Sequence, residues 1–132
     1  MRQALWPDAA HEDLHAGAQR FFAGDRVFLA QVLVAERGRE KVGMIELSLR
    51  SLVDGCYASP VPFIEGWFVT PQARRQGIGT ALVRAAEDWA RAQGCTEIAS
   101  DALIENQVSE AAHKSLGFEE VDRVITFRKS LA

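Results

Sequence analysis

Apolar residues recur at steps of three and four in three stretches of the chain, and gather in shorter, denser runs in five others. The steps of three and four predict amphipathic helices; the runs predict strands. A turn at Leu5-Trp6-Pro7-Asp8 leads to the first helix. Glu12 and Asp13 suit its opening turn, and Leu14, Ala18, Phe21 and Phe22 repeat at helical spacing before Ala23-Gly24-Asp25 stops it. Residues 27–36 are rich in branched apolar side chains and predict a buried strand, turned at Arg37-Gly38-Arg39-Glu40. Residues 42–53 predict a second strand, with Ile45, Leu47 and Leu49 alternating against Glu46, Ser48 and Arg50. A loop over 54–60 precedes a third strand at 63–69. The second helix covers 78–93, with Ile78, Leu82, Ala85, Ala86 and Trp89 on one face and Gly94 as its stop. A short strand at 95–101 follows. A third helix at 106–116 presents Val108, Ala111, Ala112 and Leu116, and a last strand runs over 121–128. The order α-β-β-β-α-β-α-β predicts one α/β (α+β) domain over 1–132, a mixed sheet with helices on its faces.

Composition narrows the class without naming an activity. The chain has 132 residues, 48% of them hydrophobic and 25% charged, as in a folded soluble domain. A net charge of −3 gives no mean field that attracts nucleic acid or an anionic membrane. No apolar run reaches the roughly 18 residues of a membrane span, and no basic segment followed by an apolar one opens the chain, so a cytoplasmic location is expected. Cys56 and Cys95 lie in unrelated contexts and build neither a disulfide framework nor a four-ligand zinc site, so no metal is expected.

The most informative segment is Val69-Thr70-Pro71-Gln72-Ala73-Arg74-Arg75-Gln76-Gly77-Ile78-Gly79-Thr80. A strand ends, a basic loop follows, and two glycines open a helix. The first turn of a helix offers backbone N–H groups and the positive end of its dipole, and glycines let phosphates approach closely. The Gly-Lys-Ser/Thr ending of a nucleoside-triphosphate loop is missing, as is the third glycine of a dinucleotide-binding turn. The structural alternative is a left-handed turn at Gly77 with ordinary helix packing at Gly79.

Arg74-x-x-Gly77-x-Gly79 after Val69-x-Pro71, with Asn106 and Leu116-Gly117-Phe118 downstream, resembles the acetyl-coenzyme A signature of the general N-acetyltransferase (GNAT) superfamily. Leu5-Trp6-Pro7, Ser59-Pro60, Phe63-Ile64-Glu65-Gly66-Trp67-Phe68-Val69, Ala99-Ser100-Asp101 and the stretch from Gly117 to Lys129 are similar to the aminoglycoside 6'-N-acetyltransferases. The resemblance implies a GNAT fold with splayed middle strands. Members of that subgroup carry a strand and a fuller helix ahead of their Leu-Trp-Pro, so the first strand is either absent here or encoded upstream of Met1. Leu52 stands where the subgroup often has a tyrosine near the substrate.

The implied reaction is acetyl transfer from acetyl-coenzyme A to the 6'-amine of an aminoglycoside. Acetylation of another cationic amine, and a non-catalytic acetyl-coenzyme A sensor, are the alternatives. An alkylammonium must lose a proton to become a nucleophile. The resemblance makes Asp101 the amine ligand and base; its other reading is a helix or turn cap. Glu65, an acid inside an apolar strand, is implied to bind ammonium, against an internal salt bridge with an arginine. Trp6 and Asp122 carry over as substrate contacts, against a core aromatic and a solvated acid. Backbone groups of Trp67, Phe68 and Val69 would hold the pantetheine arm, as an added strand would. Arg74, Arg75, Gln76, Gly77, Ile78, Gly79 and Thr80 would form the pyrophosphate loop, and Asn106 would bond the pantetheine chain. His113 takes the place of a tyrosine that many GNAT enzymes use to protonate the leaving thiolate. The family also implies a homodimer.

Overall fold

The computed structural model describes residues 29–132, and these divide after Asp101 into two compact units. The predicted helix before residue 23 and Trp6 lie outside the described residues.

The first unit is built on a four-stranded mixed sheet in the order β1-β2-β3-β4. Strands β1 (Gln31–Arg37), β2 (Glu40–Arg50) and β3 (Val61–Val69) form an antiparallel meander, and β4 (Ala99–Ser100) joins β3 in parallel. The β1–β2 hairpin turns where Gly38 adopts φ 63°, as a tight connection requires. Between β3 and β4 runs α1 (Ile78–Ala92), the crossover that a parallel pair needs.

Strand β2 departs from the expected alternation. All its side chains from Val42 to Ser48 are buried, including Glu46 and Ser48, because β2 is an interior strand. Helix α1 packs close at Gly43, where an added Cβ would meet Leu82, Ile78 and the Phe68 carbonyl at 3.0–3.2 Å. The buried stripe of α1 is Leu82, Val83, Ala86 and Ala90, whereas Ala85, predicted on that face, is exposed. Gly94, at φ 79°, ends the helix as expected.

The second unit carries α2 (Gln107–Ser115), capped by Asn106, whose Oδ1 accepts from the Ser109 N–H at 3.0 Å. The predicted last strand is corrected: residues 118–132 contain no strand. A strand needs a ladder for its backbone groups, and no described strand pairs with this segment. Its apolar side chains are exposed, Ile125 to 80% and Phe127 to 91%. Helix α2 likewise has no buried residue.

Candidate active site

Strands β3 and β4 share only two rungs, Phe63 opposite Ala99 and Ile64 opposite Ser100. Beyond them β3 continues to Val69 while β4 stops, so from Glu65 onward that edge of β3 has no strand partner among the described residues. The other edge stays paired with β2 through Val69 opposite Gly43. A register shift in the β2–β3 ladder leaves Glu65 as the extra residue between Ile64 and Gly66. Such bulges bend a strand and re-aim a side chain.

The open edge ends in a usable donor. Thr70 N–H donates to the Val42 carbonyl at 2.8 Å, toward β2. Successive backbone groups point to opposite sides of a strand, so the Val69 N–H faces the open edge. The Val69 carbonyl faces the same way and accepts from Arg74 Nε at 2.9 Å. Arg74 thereby ties the loop to the strand end.

The loop then makes one short 3-10 turn, Pro71–Ala73, whose Ala73 is fully buried and anchors it. Arg75 adopts φ 62°, a left-handed conformation that costs a non-glycine residue about 1 kcal/mol. Gly77 follows at φ 81° as the N-cap of α1, with no side-chain cap and no acid in the first turn. The positive end of α1 thus carries no compensating side chain of its own first turn. The Gln76 side chain is engaged elsewhere, bonding Arg37 and the Gln72 carbonyl. Gly79 has a packing reason to be glycine: a Cβ there would stand 3.3 Å from the Trp67 ring. Both structural explanations of the glycines are therefore present, and the anion reading stands on the uncapped helix and Arg75. Ile78 is half-buried and Thr80 exposed in the first turn.

Glu65 is ion-paired, in line with the alternative weighed from the sequence. Its Oε1 accepts from Ser48 Oγ at 2.6 Å and from Arg50 Nε and Nη2 at 3.0 and 2.8 Å; Oε2 accepts from Arg50 Nη2 at 3.0 Å. The Arg50 guanidinium stacks on Phe63, 3.6 Å from the ring centre. Asp101 is exposed, immediately past β4. It is not the cap of α2, since Asn106 is. Leu52 follows β2 and is 79% exposed.

Glu97 was not singled out from the sequence. Its Oε1 accepts from the backbone N–H groups of Tyr57 and Ala58 at 2.8 and 2.6 Å, pinning the loop before β3. Burial, and secondarily the Glu97 carboxylate, push the Cys56 thiol above its ordinary range. Cys56 and Cys95 are free thiols. No group of three or more His, Cys, Asp or Glu gathers as a metal site among the described residues.

In the second unit, His113 Nδ1 lies 2.7 Å from the Ser109 carbonyl, so Nδ1 carries the proton and donates. The His113 ring meets Phe118 edge-to-face at 5.3 Å. The Asn106 Oδ1 is committed to its cap, which leaves the amide nitrogen for a ligand. Asp122 is exposed and accepts the Arg123 N–H at 2.8 Å. A hydrogen bond from Arg123 lowers the Glu120 carboxyl below its ordinary value.

A strand edge opening beside two acids and leading to an uncapped helix calls for comparison with known enzymes. The profile of the acetyltransferase (GNAT) family matches residues 1–118. The chain belongs to that family. It is 47% identical to an aminoglycoside N(6')-acetyltransferase type 1 of Klebsiella aerogenes over 99% of this chain and 87% of the relative. The homologous enzyme of Acinetobacter baumannii is 43% identical over 99% of this chain and 88% of its own. Among solved structures, AAC(6')-Iy in complex with the bisubstrate analogue CoA-S-monomethyl-acetylneamine superposes with a TM-score of 0.90 at 35% identity, covering 98% and 87% of the two chains. The A. baumannii AAC(6')-Ih structure gives 0.81 at 41% identity, covering 99% and 88%. The fold of this chain is thus the GNAT fold, with α/β architecture and a mixed sheet.

Proposed function

We propose that this GNAT enzyme transfers the acetyl group of acetyl-coenzyme A to the 6'-amino group of aminoglycosides, and so confers resistance to them. The observation that carries the reading is the separation of β3 from β4 after Ile64 and Ser100. It sets two acids, Glu65 and Asp101, beside an open strand edge that ends at the N-terminus of α1. Relatives with this fold include one in complex with a coenzyme A–aminoglycoside bisubstrate analogue.

The pantetheine arm would lie along the edge of Trp67, Phe68 and Val69 as an added strand. Its pyrophosphate would meet the first-turn N–H groups over Ile78, Gly79 and Thr80, with Gly77 and Gln76 supplying backbone and Arg75 supplying charge. The amine nitrogen attacks the thioester carbonyl carbon after giving up a proton, for which Asp101 is the acceptor, directly or through water. Charge then builds on the carbonyl oxygen, which the Val69 N–H on the open edge would stabilise. The carbon–sulfur bond breaks, and the departing thiolate takes up the second proton that the nitrogen loses as the amide forms, so coenzyme A leaves as a thiol. In the neutral ring His113 holds its proton on Nδ1 against Ser109, so proton donation from Nε2 requires the imidazolium form. Asn106 through its amide nitrogen, Asp122 and Trp6 are assigned as ligand contacts by resemblance.

The match of the family profile across residues 1–118 spans the division after Asp101 and supports one N-acetyltransferase domain over 1–132. A homodimer is proposed from the exposed apolar surface of the second unit, and a cytoplasmic location from the chemistry, since acetyl-coenzyme A is an intracellular metabolite. Among the described residues no helix is long and apolar enough to cross a membrane. The test is a panel of aminoglycosides with and without a 6'-amine, assayed for acetyl-coenzyme A-dependent thiol release. Release confined to compounds bearing the 6'-amine is expected. Turnover of polyamines or peptides alone would replace the substrate class, and coenzyme A binding without turnover would make the protein a sensor.

A further inference from the structure

Nothing in the sequence pattern marks Arg50, yet three of the four hydrogen bonds on the Glu65 carboxylate come from it. We propose that Arg50 is a specificity-determining residue that masks the charge of Glu65 from cationic substrates. The inference rests on the reading of Glu65 as an ammonium-binding carboxylate.

A carboxylate oxygen has about two good acceptor directions. Oε1 already receives Ser48 Oγ and two guanidinium donors, so it is saturated. Among the described residues Oε2 receives only Arg50 Nη2, which keeps one direction open. Arginine stays protonated at any working pH, so the pair offers an incoming ammonium one lone pair and no net charge. The guanidinium is held in place by two contacts at once, the carboxylate and the Phe63 ring at 3.6 Å. With 43% of its side chain exposed, Arg50 also meets a polycation with its own positive charge. An ammonium at Oε2 therefore shares one carboxylate with a second cation. The mask favours an amine presented with the right geometry over one attracted by charge alone, and it weakens binding more for more highly charged molecules.

The test measures steady-state kinetics of Arg50→Met, Arg50→Lys and Glu65→Gln with kanamycin A and the more highly charged tobramycin, at low and high salt. Removing a unit charge at this range in a half-exposed site should change affinity about 3–10-fold. Arg50→Met is expected to lower KM by that factor at low salt, more for tobramycin, with the effect fading at high ionic strength. The KM for acetyl-coenzyme A should stay constant. Arg50→Lys, which keeps the charge, should return KM to the wild-type value, and Glu65→Gln should raise it. An unchanged or raised KM in Arg50→Met overturns the proposal. So does a lowered KM in Arg50→Met beside an unchanged KM in Glu65→Gln, because Arg50 would then act on the substrate alone. Arg50→Gln, which retains a donor toward Glu65, repeats the test if the Met variant folds poorly. Calorimetric binding of kanamycin A reads the same shift where wild-type turnover is absent, so failure of the activity and failure of the mask are distinguishable.

Discussion

Glu65 on β3 and Asp101 just past β4 stand at matching positions, each one residue beyond the last shared rung of Ile64 and Ser100. The strands part at that level, so the acids flank the opening and not the paired core. They differ in their company: Glu65 is held by Ser48 and Arg50, while Asp101 is exposed. On the proposed reading that difference favours Asp101 as the base, because the oxygens of Glu65 are already occupied by the donors of Ser48 and Arg50.

Asp101→Asn keeps the shape of the side chain and removes the anion. Turnover of aminoglycosides is expected to fall about 10²–10⁴-fold, the usual range for one proton-transfer role. Melting temperature and acetyl-coenzyme A affinity should hold, since Asp101 is exposed and caps none of the described helices. A variant that melts early yet turns over normally would make Asp101 structural.

Arg75→Gly separates charge from conformation in the loop proposed to hold the pyrophosphate. Glycine adopts the φ of 62° found at Arg75 without strain, so the loop keeps its path while losing the guanidinium. Losing one charge-assisted contact of about 1–2 kcal/mol should raise the KM for acetyl-coenzyme A roughly 5–30-fold. Thermal unfolding of the same variant should stay near wild type. An unchanged KM would remove Arg75 from the cofactor site. Gly79→Asp is a poorer probe, because its Cβ would press on Trp67 whatever the ligand does.

The meander, α1 and the basic loop were legible in the sequence because periodicity, glycine stops and the strand-to-helix junction are local signals. The burial of Glu46 and Ser48 was not, since alternation tells nothing about whether a second layer covers the polar face. Arg50 and Glu97 escaped for another reason: each acts across the chain, on Glu65 and on the loop at Tyr57, and no spacing rule brings those residues together. Residues 121–128 carry an apolar pattern that predicts a strand, but a pattern supplies no ladder partner.

The raised Cys56 thiol gives a pH prediction. Burial is the larger cause and the Glu97 carboxylate the smaller. With the folded value above the unfolded one, the folded state holds the proton more tightly. That advantage is complete below the unfolded value and is lost as pH rises through the folded value. Alkylation of Cys56 by iodoacetamide, in a Cys95→Ser background, should therefore begin at higher pH than that of a free cysteine peptide. Glu97→Gln should bring the onset only part of the way back, because desolvation remains. Onset at the peptide's pH in the wild-type chain would mean that neither effect acts on the folded protein.

The last prediction concerns the exposed carboxyl-terminal segment. Val121, Val124, Ile125, Phe127 and Leu131 are 60–92% exposed, although the β-branched and aromatic residues among them are of the kind enriched in strands. Side chains of this size carry on the order of 100 Å² each, so the segment offers about 500 Å² of apolar surface. Exchanged by two copies, and matched by the surface it covers, it would bury about 2,000 Å², enough for a stable dimer. Sedimentation velocity should accordingly show a dimer at micromolar concentration. Phe127→Asp places a charge where an aromatic ring would be buried, and should weaken association by at least about 30-fold, as loss of a central aromatic anchor does. Asp122→Ala, an exposed acid whose side chain accepts only the neighbouring Arg123 N–H among the described residues, serves as the control and should leave the dimer intact. A wild-type chain that sediments as a monomer throughout the micromolar range, with Phe127→Asp indistinguishable from it, would leave the second copy without a role in covering this segment.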